Sequence, residues 1–212
     1  MTTIDRYAFW LGMIIVILAT LAGLFVIFYS RWRLYQPITL TPKIAERLTE
    51  RLAGLNLPTL GGEDRVAVVA FFSYTCPACQ KHTEKYERML VRNLMERGWG
   101  YMLVPLTVDP RAVRPSALAL CTWEQAPERF ENLHKTLFSG KTSPSLPADI
   151  ENCAGSDEVE KKFEEIQKAA LNAGVVGTPS FYLVDLHQTI TGVQDEKHWQ
   201  TWLAKMEASQ KR

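Results

Sequence analysis

Two cysteines, Cys76 and Cys79, follow an apolar stretch directly and are separated by Pro77 and Ala78. Their spacing places both thiols in the first turn of a helix that begins at this point. Because a helix N-terminus stabilises anions, a thiol at its tip tends to lose its proton at neutral pH. The thiolate is the reactive form, and a thiol three residues later can form a disulfide with it. The pair therefore predicts thiol–disulfide exchange.

The residues on either side of the two cysteines predict a strand followed by a helix. Residues 66–72 are apolar throughout, as in a strand covered on both faces of a parallel sheet. A helix is expected over about residues 76–97, because Gly98 then supplies a stop signal. Cys79 should point inward and Cys76, at the tip, should be the accessible thiol. The inward stripe also contains Tyr86, Leu90 and Leu94.

The rest of the sequence predicts a sheet domain into which a helical lobe is inserted at about residues 110–174. One helix is expected to begin at Thr41-Pro42, and others to cover 116–124, 128–138, 157–173 and 195–207. The further strands expected are 101–108, with Pro105 at an edge or an end, and a hairpin of 180–184 and 189–191. Residues 54–62 and 142–147 are expected to be loops.

An uncharged segment of 24 residues, Tyr7 to Ser30, precedes this domain. As a helix it is about 36 Å long at ~1.5 Å per residue, enough to cross a bilayer core of about 30 Å. A cleaved signal peptide is the alternative, but the apolar run is long and the cleavage match at 20–22 is poor. We expect a tail at 1–7, a transmembrane anchor at 8–30, a stalk or N-terminal helix at 31–63, and the main domain at 64–212.

The charges beside this segment and the chemistry of the cysteines favour opposite orientations. Arg31 and Arg33 follow the segment and Arg6 precedes it, a bias that favours a cytoplasmic C-terminal domain. A disulfide-forming domain belongs in an oxidising compartment, and large domains are translocated despite such charges. We therefore expect a single-pass protein of a bacterial inner membrane whose domain faces the periplasm.

Two further cysteines, Cys121 and Cys153, lie in the expected helical lobe with 31 residues between them. A structural disulfide is the favoured interpretation, with free buried thiols and a second redox pair as alternatives. An even number of cysteines, four, agrees with an oxidising compartment. The net charge of +1, from 24 basic and 23 acidic residues, gives no electrostatic reason to expect nucleic acid as a partner.

Two motifs resemble those of disulfide oxidoreductases of the DsbA type. Residues 71–79 (FFSYTCPAC) are similar to the strand-to-helix motif of that family, and residues 176–181 (VGTPSF) are similar to its cis-proline loop. Between the two motifs lies a helical insertion of the size that the family carries. The resemblance covers roughly residues 64–205.

The resemblance implies an α/β, thioredoxin-like fold with an inserted helical lobe, and it assigns roles to four residues. They are Cys76 as nucleophile, Cys79 as resolving thiol, and Thr178 and Pro179 as substrate-binding residues, with Pro179 in the cis form. A cis peptide leaves nearby backbone groups free to pair with an extended substrate strand. The alternative for Pro179 is an ordinary trans-proline that begins a strand.

The sequence departs from the family pattern at two places. The family often has an acidic residue six positions before the first cysteine, as a buried proton acceptor, but Ala70 occupies that position here. Pro77 and Ala78 differ from the best-known Pro-His pair and should shift the redox potential. In addition, Lys81 and His82 either help to stabilise the thiolate or are solvated residues on the helix surface.

Together these features predict a thiol:disulfide oxidoreductase that introduces disulfides into exported proteins through Cys76 and Cys79. Its expected partners are client thiols and a quinone-linked membrane protein that re-oxidises the dithiol, and no cofactor or bound metal is expected. A membrane-anchored reductase or isomerase of the same fold is one alternative. A Cu(I)- or Zn-binding assembly factor is another, disfavoured because only His82 lies near the dithiol in sequence.

Overall fold

The computed structural model describes residues 3–34, 36–62, 65–139 and 146–211. The chain divides into two compact units, Met1–Gln36 and Pro37–Arg212. The first unit contains one long helix, α1 (Thr3–Leu34). Its stretch Gly12–Ser30 is long and apolar enough to cross a membrane, by length and composition. The expected anchor at 8–30 lies within this helix.

A six-stranded mixed sheet forms the centre of the second unit. The strands are β1 (Ile38–Thr39), β2 (Thr59–Gly61), β3 (Val66–Phe72), β4 (Gly100–Pro105), β5 (Ser180–Leu183) and β6 (Gln188–Thr191). Their order across the sheet is β1-β6-β5-β3-β4-β2. Strand β3 is parallel to β4 and antiparallel to β5, and all the other pairs are antiparallel. The strand that precedes the dithiol is therefore central.

Helices cover both faces of this sheet. They are α2 (Pro42–Ala53), α3 (Pro77–His82), a π-helical turn (Thr83–Glu87), α4 (Arg88–Met95), α5 (Pro110–Gln125), α6 (Pro127–Phe138), α7 (Ala148–Ala154), α8 (Asp157–Asn172) and α9 (Glu196–Gln210). Because side chains alternate along a strand, Ala70 and Phe72 of β3 pack with α3, α4 and α9, whereas Phe71 packs with α2 and α8 on the other face.

A separate small core holds the helical lobe together. It is formed by side chains of α5, α6, α7 and α8, namely Ala117, Leu118, Cys121, Leu133, Ile150 and Val159. The lobe lies in the chain between β4 and β5, where the sequence predicts an insertion. The loop predicted at 142–147 falls mostly on residues 140–145, which lie outside the described residues.

The structure corrects three of the predicted element boundaries. Residues 54–62 contain β2, a short glycine-containing strand that pairs with β4 and has no strand pattern of its own. Helix α5 begins at Pro110 rather than at 116, because Asp109 caps it and Pro110 is tolerated at its first position. Strand β4 ends at Pro105 rather than at 108, since proline cannot donate to a sheet ladder.

The segment expected to be a stalk or N-terminal helix contributes to the second unit. Strand β1 pairs with β6, and helix α2 buries Ala45, Leu48 and Leu52 in the core on the α8 side of the sheet. The compact unit therefore begins at Pro37 and is larger than the predicted segment 64–212. Helix α7, which the sequence did not predict, is short and has no side-chain cap.

Candidate active site

Strand β3 brings Cys76 to the N-terminus of α3. Cys76 is the N-cap residue, with extended backbone (φ −89°, ψ 116°), and Pro77 is the first helical residue. The Sγ atom of Cys76 accepts a hydrogen bond from the backbone N–H of Cys79 over 3.4 Å. The first N–H groups of a helix have no partner within the helix, so they are available to this sulfur. Cys76 is half-buried, whereas Cys79 is only 1% exposed.

The hydrogen bonds at the helix N-terminus lower the pKa of Cys76 from 9.0 to about 5. The largest cause is the hydrogen bond with the Cys79 thiol. The Thr178 side chain and the backbone N–H groups of Ala78 and Cys79 lower the pKa further, whereas burial opposes them. The pKa of Cys79 is raised, because its proton is shared with the Cys76 sulfur and because it is buried. At neutral pH the pair therefore carries one negative charge, on the half-exposed sulfur.

The loop before β5 borders the dithiol. Because β5 is antiparallel to β3, with Ser180 opposite Phe71, the beginning of β5 lies beside the end of β3. The Thr178–Pro179 peptide bond is cis, and Cys76 Sγ lies 3.3 Å from the Thr178 carbonyl oxygen, to which the thiol donates a hydrogen bond in its protonated form. The structure therefore brings together the four residues that the resemblance selected.

A polar cluster fastens the turn between β3 and α3 to the helical lobe. The Thr75 hydroxyl donates to Asp109 Oδ2 over 2.8 Å, and the Ser73 and Thr75 hydroxyls are 3.0 Å apart. Asp109 also caps α5 by accepting from the Arg111 N–H. The hydrogen bond from Thr75 is the largest cause that lowers the pKa of Asp109. Asp109 was not among the predicted site residues, although the Asp109-Pro110 pair is a helix-start signal.

His82 is buried, which corrects the expectation of a solvated residue on the helix surface. Its side chain is 3% exposed, and its ring contacts Phe181 and Trp199, whereas Lys81 is exposed. Burial lowers the pKa of His82 to about 4, so the ring is neutral at pH 7. His82 therefore does not stabilise the thiolate as a cation.

A second buried polar group, Glu87, lies at the end of the π-helical turn. It is 5% exposed, and its Oε2 atom lies 3.4 Å from His134 Nε2 and accepts from the Thr83 hydroxyl over 3.2 Å. Burial alone would raise the pKa of Glu87, but His134, His82 and the Thr83 hydroxyl together lower it below its ordinary value. On its other side, His134 Nδ1 is 2.9 Å from the Tyr74 hydroxyl. Sequence reasoning missed this group, because its members are far apart in the chain.

The remaining two cysteines form a disulfide. Cys121 in α5 and Cys153 in α7 are bridged, with a Cα–Cα distance of 5.9 Å and a sequence separation of 32. Cys121 is fully buried in the core of the helical lobe. A loop of this length stabilises the folded state by about 4 kcal/mol on the chain-entropy model. The bridge therefore stabilises the helical lobe by joining α5 to α7.

The chain matches one protein-family model and resembles a set of solved structures in its fold. A family model described as Thioredoxin matches residues 59–205. No curated protein matches the sequence significantly. Because the family model covers more than half of the chain, the chain belongs to this thioredoxin family. With its dithiol at a helix N-terminus, it has the class features of a thiol–disulfide oxidoreductase.

Three solved structures illustrate the similarity of the fold. The catalytic domain of ScsC from Proteus mirabilis is 20% identical, with a TM-score of 0.60, over 77% of this chain and 98% of that one. The thiol-disulfide exchange protein α-DsbA2 from Wolbachia pipientis is 17% identical, with a TM-score of 0.62, over 78% and 94%. A periplasmic thioredoxin-like protein from Salmonella enterica serovar Typhimurium is 21% identical, with a TM-score of 0.59, over 78% and 97%. The predicted α/β thioredoxin-like fold with an inserted helical lobe is confirmed.

Proposed function

We propose that the protein is a membrane-anchored thiol:disulfide oxidoreductase that introduces disulfides into exported proteins, with Cys76 as nucleophile and Cys79 as resolving thiol. The observation that carries this proposal is the asymmetry of the pair. The accessible sulfur has a pKa of about 5, and the buried one keeps its proton. A sulfur of low pKa is a good leaving group, so this asymmetry favours the reduced dithiol and makes the disulfide an oxidant.

The oxidation of a client proceeds in two exchanges. A client thiolate attacks Cys76 Sγ of the Cys76–Cys79 disulfide; the sulfur–sulfur bond breaks, and Cys79 leaves with the electron pair and gains a proton. A second client thiolate then attacks the client sulfur of the mixed disulfide, and Cys76 leaves as a thiolate. The client loses two electrons to the dithiol. A quinone-linked membrane partner would accept these electrons and restore the disulfide.

An open groove beside the dithiol supports a role in binding client chains. The groove has a volume of about 740 Å³, and Thr178 is one of its lining residues. Its wall includes exposed apolar side chains, Val108, Val176 and Leu171. An extended client segment could pair with the backbone around Thr178 and Pro179 while its apolar side chains enter the groove. Pro77 and Ala78 remain candidates for tuning the redox potential, since the Ala78 backbone contributes to the low pKa of Cys76.

The proposed location is a bacterial inner membrane, with the catalytic domain in the periplasm. The apolar stretch Gly12–Ser30 supports an anchor, and the disulfide Cys121–Cys153 supports an oxidising compartment. Attachment to the membrane would keep the dithiol near a membrane-bound oxidant. One of the proteins with a similar fold is itself described as periplasmic.

A membrane-anchored reductase or isomerase uses the same dithiol in the opposite direction. The arrangement around Cys76 can support either oxidation or reduction of a client. The redox state of the pair in cells therefore distinguishes an oxidase from a reductase or isomerase. A metal-assembly role has less support, because the described residues contain no group of three or more His, Cys, Asp or Glu side chains that could hold a metal ion.

The redox state of the full chain in intact cells tests this function. Cells are treated with an alkylating reagent that enters the periplasm but does not cross the inner membrane, and the cysteines of the purified protein are mapped. An oxidase should show Cys76 and Cys79 mostly bridged, and the reagent should reach them after mild reduction of the cells. A pair that is mostly reduced and alkylated at once would establish the reductase direction instead. A pair that the reagent never reaches would contradict the periplasmic location.

A further inference from the structure

A small cavity is lined by Cys79, the buried thiol of the pair. Its volume is about 10 Å³, roughly the space that one water molecule needs. Its polar wall is formed by Cys79, His82, Thr83, Glu87 and Tyr101, and the rest of the wall is apolar. Cys79, Thr83 and Glu87 follow each other at intervals of four residues along α3 and the π-helical turn. The cavity therefore joins the buried thiol to a buried carboxylate.

One polar atom in the wall has no hydrogen-bond partner in the described part of the chain. The Nδ1 atom of His82 has no hydrogen bond among the described residues, whereas its Nε2 atom lies 3.3 Å from the Tyr101 hydroxyl. An unpaired buried polar atom is costly, and a bound water molecule is the usual remedy. A water molecule in this cavity would meet His82, the Glu87 carboxylate and the Cys79 thiol, and so would have enough polar partners to stay bound.

Glu87 also borders a second, larger pocket that opens to solvent. This pocket has a volume of about 360 Å³, and its polar wall contains Thr83, Glu87, Arg88, Arg92, Glu131 and Lys135. Glu87 itself is only 5% exposed. Its carboxyl group therefore stands between the solvent-filled pocket and the cavity beneath Cys79. No other carboxylate lines both spaces in the described part of the chain.

The chemistry of Cys79 requires a path for a proton. On the proposed function, Cys79 gains a proton when the disulfide opens and must lose one when it closes. Cys79 is 1% exposed, so bulk water does not reach its thiol directly. The side chain of Ala70, which also lines the cavity, has no group that can carry a proton. The polar wall of the cavity offers a path for this proton.

We propose that Glu87 carries this proton between solvent and the Cys79 thiol, by way of one water molecule in the cavity. This inference rests on the proposed function. When the dithiol closes, the Cys79 proton passes through the water to the Glu87 carboxylate. The Cys79 thiolate then attacks Cys76 Sγ of a mixed disulfide, the new sulfur–sulfur bond forms, and the other thiol leaves with the electron pair. When the disulfide opens, the proton follows the same path back.

Several titratable groups lie around Glu87 and the two spaces that it borders. They are His82 from α3, His134 from α6, Tyr101 from β4, and Arg88, Arg92, Glu131 and Lys135 around the outer pocket. His134 lies close enough to pair with Glu87 when protonated. The competing explanation is a purely structural role, in which Glu87 holds α6 against the π-helical turn through His134. The test must separate this role from proton transfer.

The test follows the reduced protein as it reacts with oxidised glutathione. In the first step Cys76 attacks glutathione disulfide and forms a mixed disulfide; in the second, Cys79 resolves it. Samples quenched with acid and analysed by mass spectrometry give both rates. For Glu87→Gln we expect an unchanged first step and a second step slowed about tenfold or more at neutral pH. The variant's second step should then speed up with rising pH, as hydroxide replaces the missing acceptor, and Glu87→Asp should recover part of the rate.

Glu84→Gln is the matched control, because Glu84 lies on the same π-helical turn but is exposed and bonds only to Gln80 among the described contacts. It should leave both steps and their pH dependence unchanged. Equal second-step rates in wild type, Glu87→Gln and Glu84→Gln would overturn the role of Glu87 and leave the proposed function intact. Slowing of both steps in Glu87→Gln, without a changed pH profile, would overturn it in favour of a structural role. A wild type that forms no mixed disulfide would refute the proposed function itself.

Discussion

A Cys76→Ser variant loses thiol–disulfide exchange activity down to the uncatalysed background, whereas a Cys79→Ser variant accumulates mixed disulfides with its clients. The reason is that the two sulfurs have different roles: Cys76 forms the bond with the client, and Cys79 breaks it. Cys76 is half-exposed and ionised near neutrality, so it is the sulfur that a client reaches. A serine hydroxyl at this position neither ionises at neutral pH nor forms a disulfide. Without Cys79, the bond between Cys76 and the client has no internal thiol to break it.

Gel analysis of non-reduced, acid-quenched extracts measures both outcomes. Client adducts should be absent from Cys76→Ser, abundant in Cys79→Ser, and should disappear from Cys79→Ser on reduction. The double variant Cys121→Ala/Cys153→Ala is the matched control, because it removes the other two cysteines and leaves the dithiol in place. A sample whose circular dichroism shows the wild-type fold should retain exchange activity. Full activity in Cys76→Ser, or adducts that form through Cys121 or Cys153, would contradict the assignment.

The stability of the reduced protein should increase between about pH 5 and pH 8, relative to the protein with the Cys76–Cys79 disulfide. The folded-state pKa of Cys76, about 5, lies below its ordinary value of 9.0. Such a group adds stability that is fully present above the unfolded pKa and is lost as the pH falls through the folded pKa. The raised pKa of Cys79 acts in the opposite sense, but only near and above its ordinary value of 9.0.

Denaturant unfolding of the reduced and oxidised forms at several pH values measures this difference. One titrating proton changes the ratio of folded to unfolded protein by at most about tenfold per pH unit, and by less here because solvent screens the half-exposed sulfur. The reduction must spare the Cys121–Cys153 bridge. The pH dependence should vanish in reduced Cys76→Ser. A difference between the two forms that stays constant from pH 5 to pH 8 would show that the Cys76 thiolate does not stabilise the fold.

Local sequence patterns predicted much of the fold because the decisive signals are short-range. The apolar run at 66–72 predicted a strand buried on both faces, and it is the central strand β3. The hairpin of β5 and β6 and the helices α6 and α8 were likewise marked by alternation or by helical spacing. Strand β2 was missed because its three residues gain their structure from pairing with β4, which local propensity does not encode.

The candidate site was predictable where its parts are adjacent in sequence and unpredictable where they are not. The inward position of Cys79 followed from helical periodicity alone. The hydrogen bond from Thr75 to Asp109 joins residues 34 positions apart, and the contact of Glu87 with His134 joins residues 47 positions apart. Cys79, Thr83 and Glu87 recur at four-residue intervals, but the cavity also needs side chains of β3, β4 and β5, and the spacing within one helix does not predict how these strands close it.

Titration of the Cys76 thiol in the reduced full chain tests the central claim most directly. The rate of alkylation at Cys76, followed by mass spectrometry as a function of pH, reports the fraction of thiolate. The account predicts a midpoint at about pH 5, and a higher midpoint in Cys79→Ala, because the Cys79 thiol is the largest cause of the shift. A midpoint near 9.0, the ordinary value for a cysteine, would contradict it.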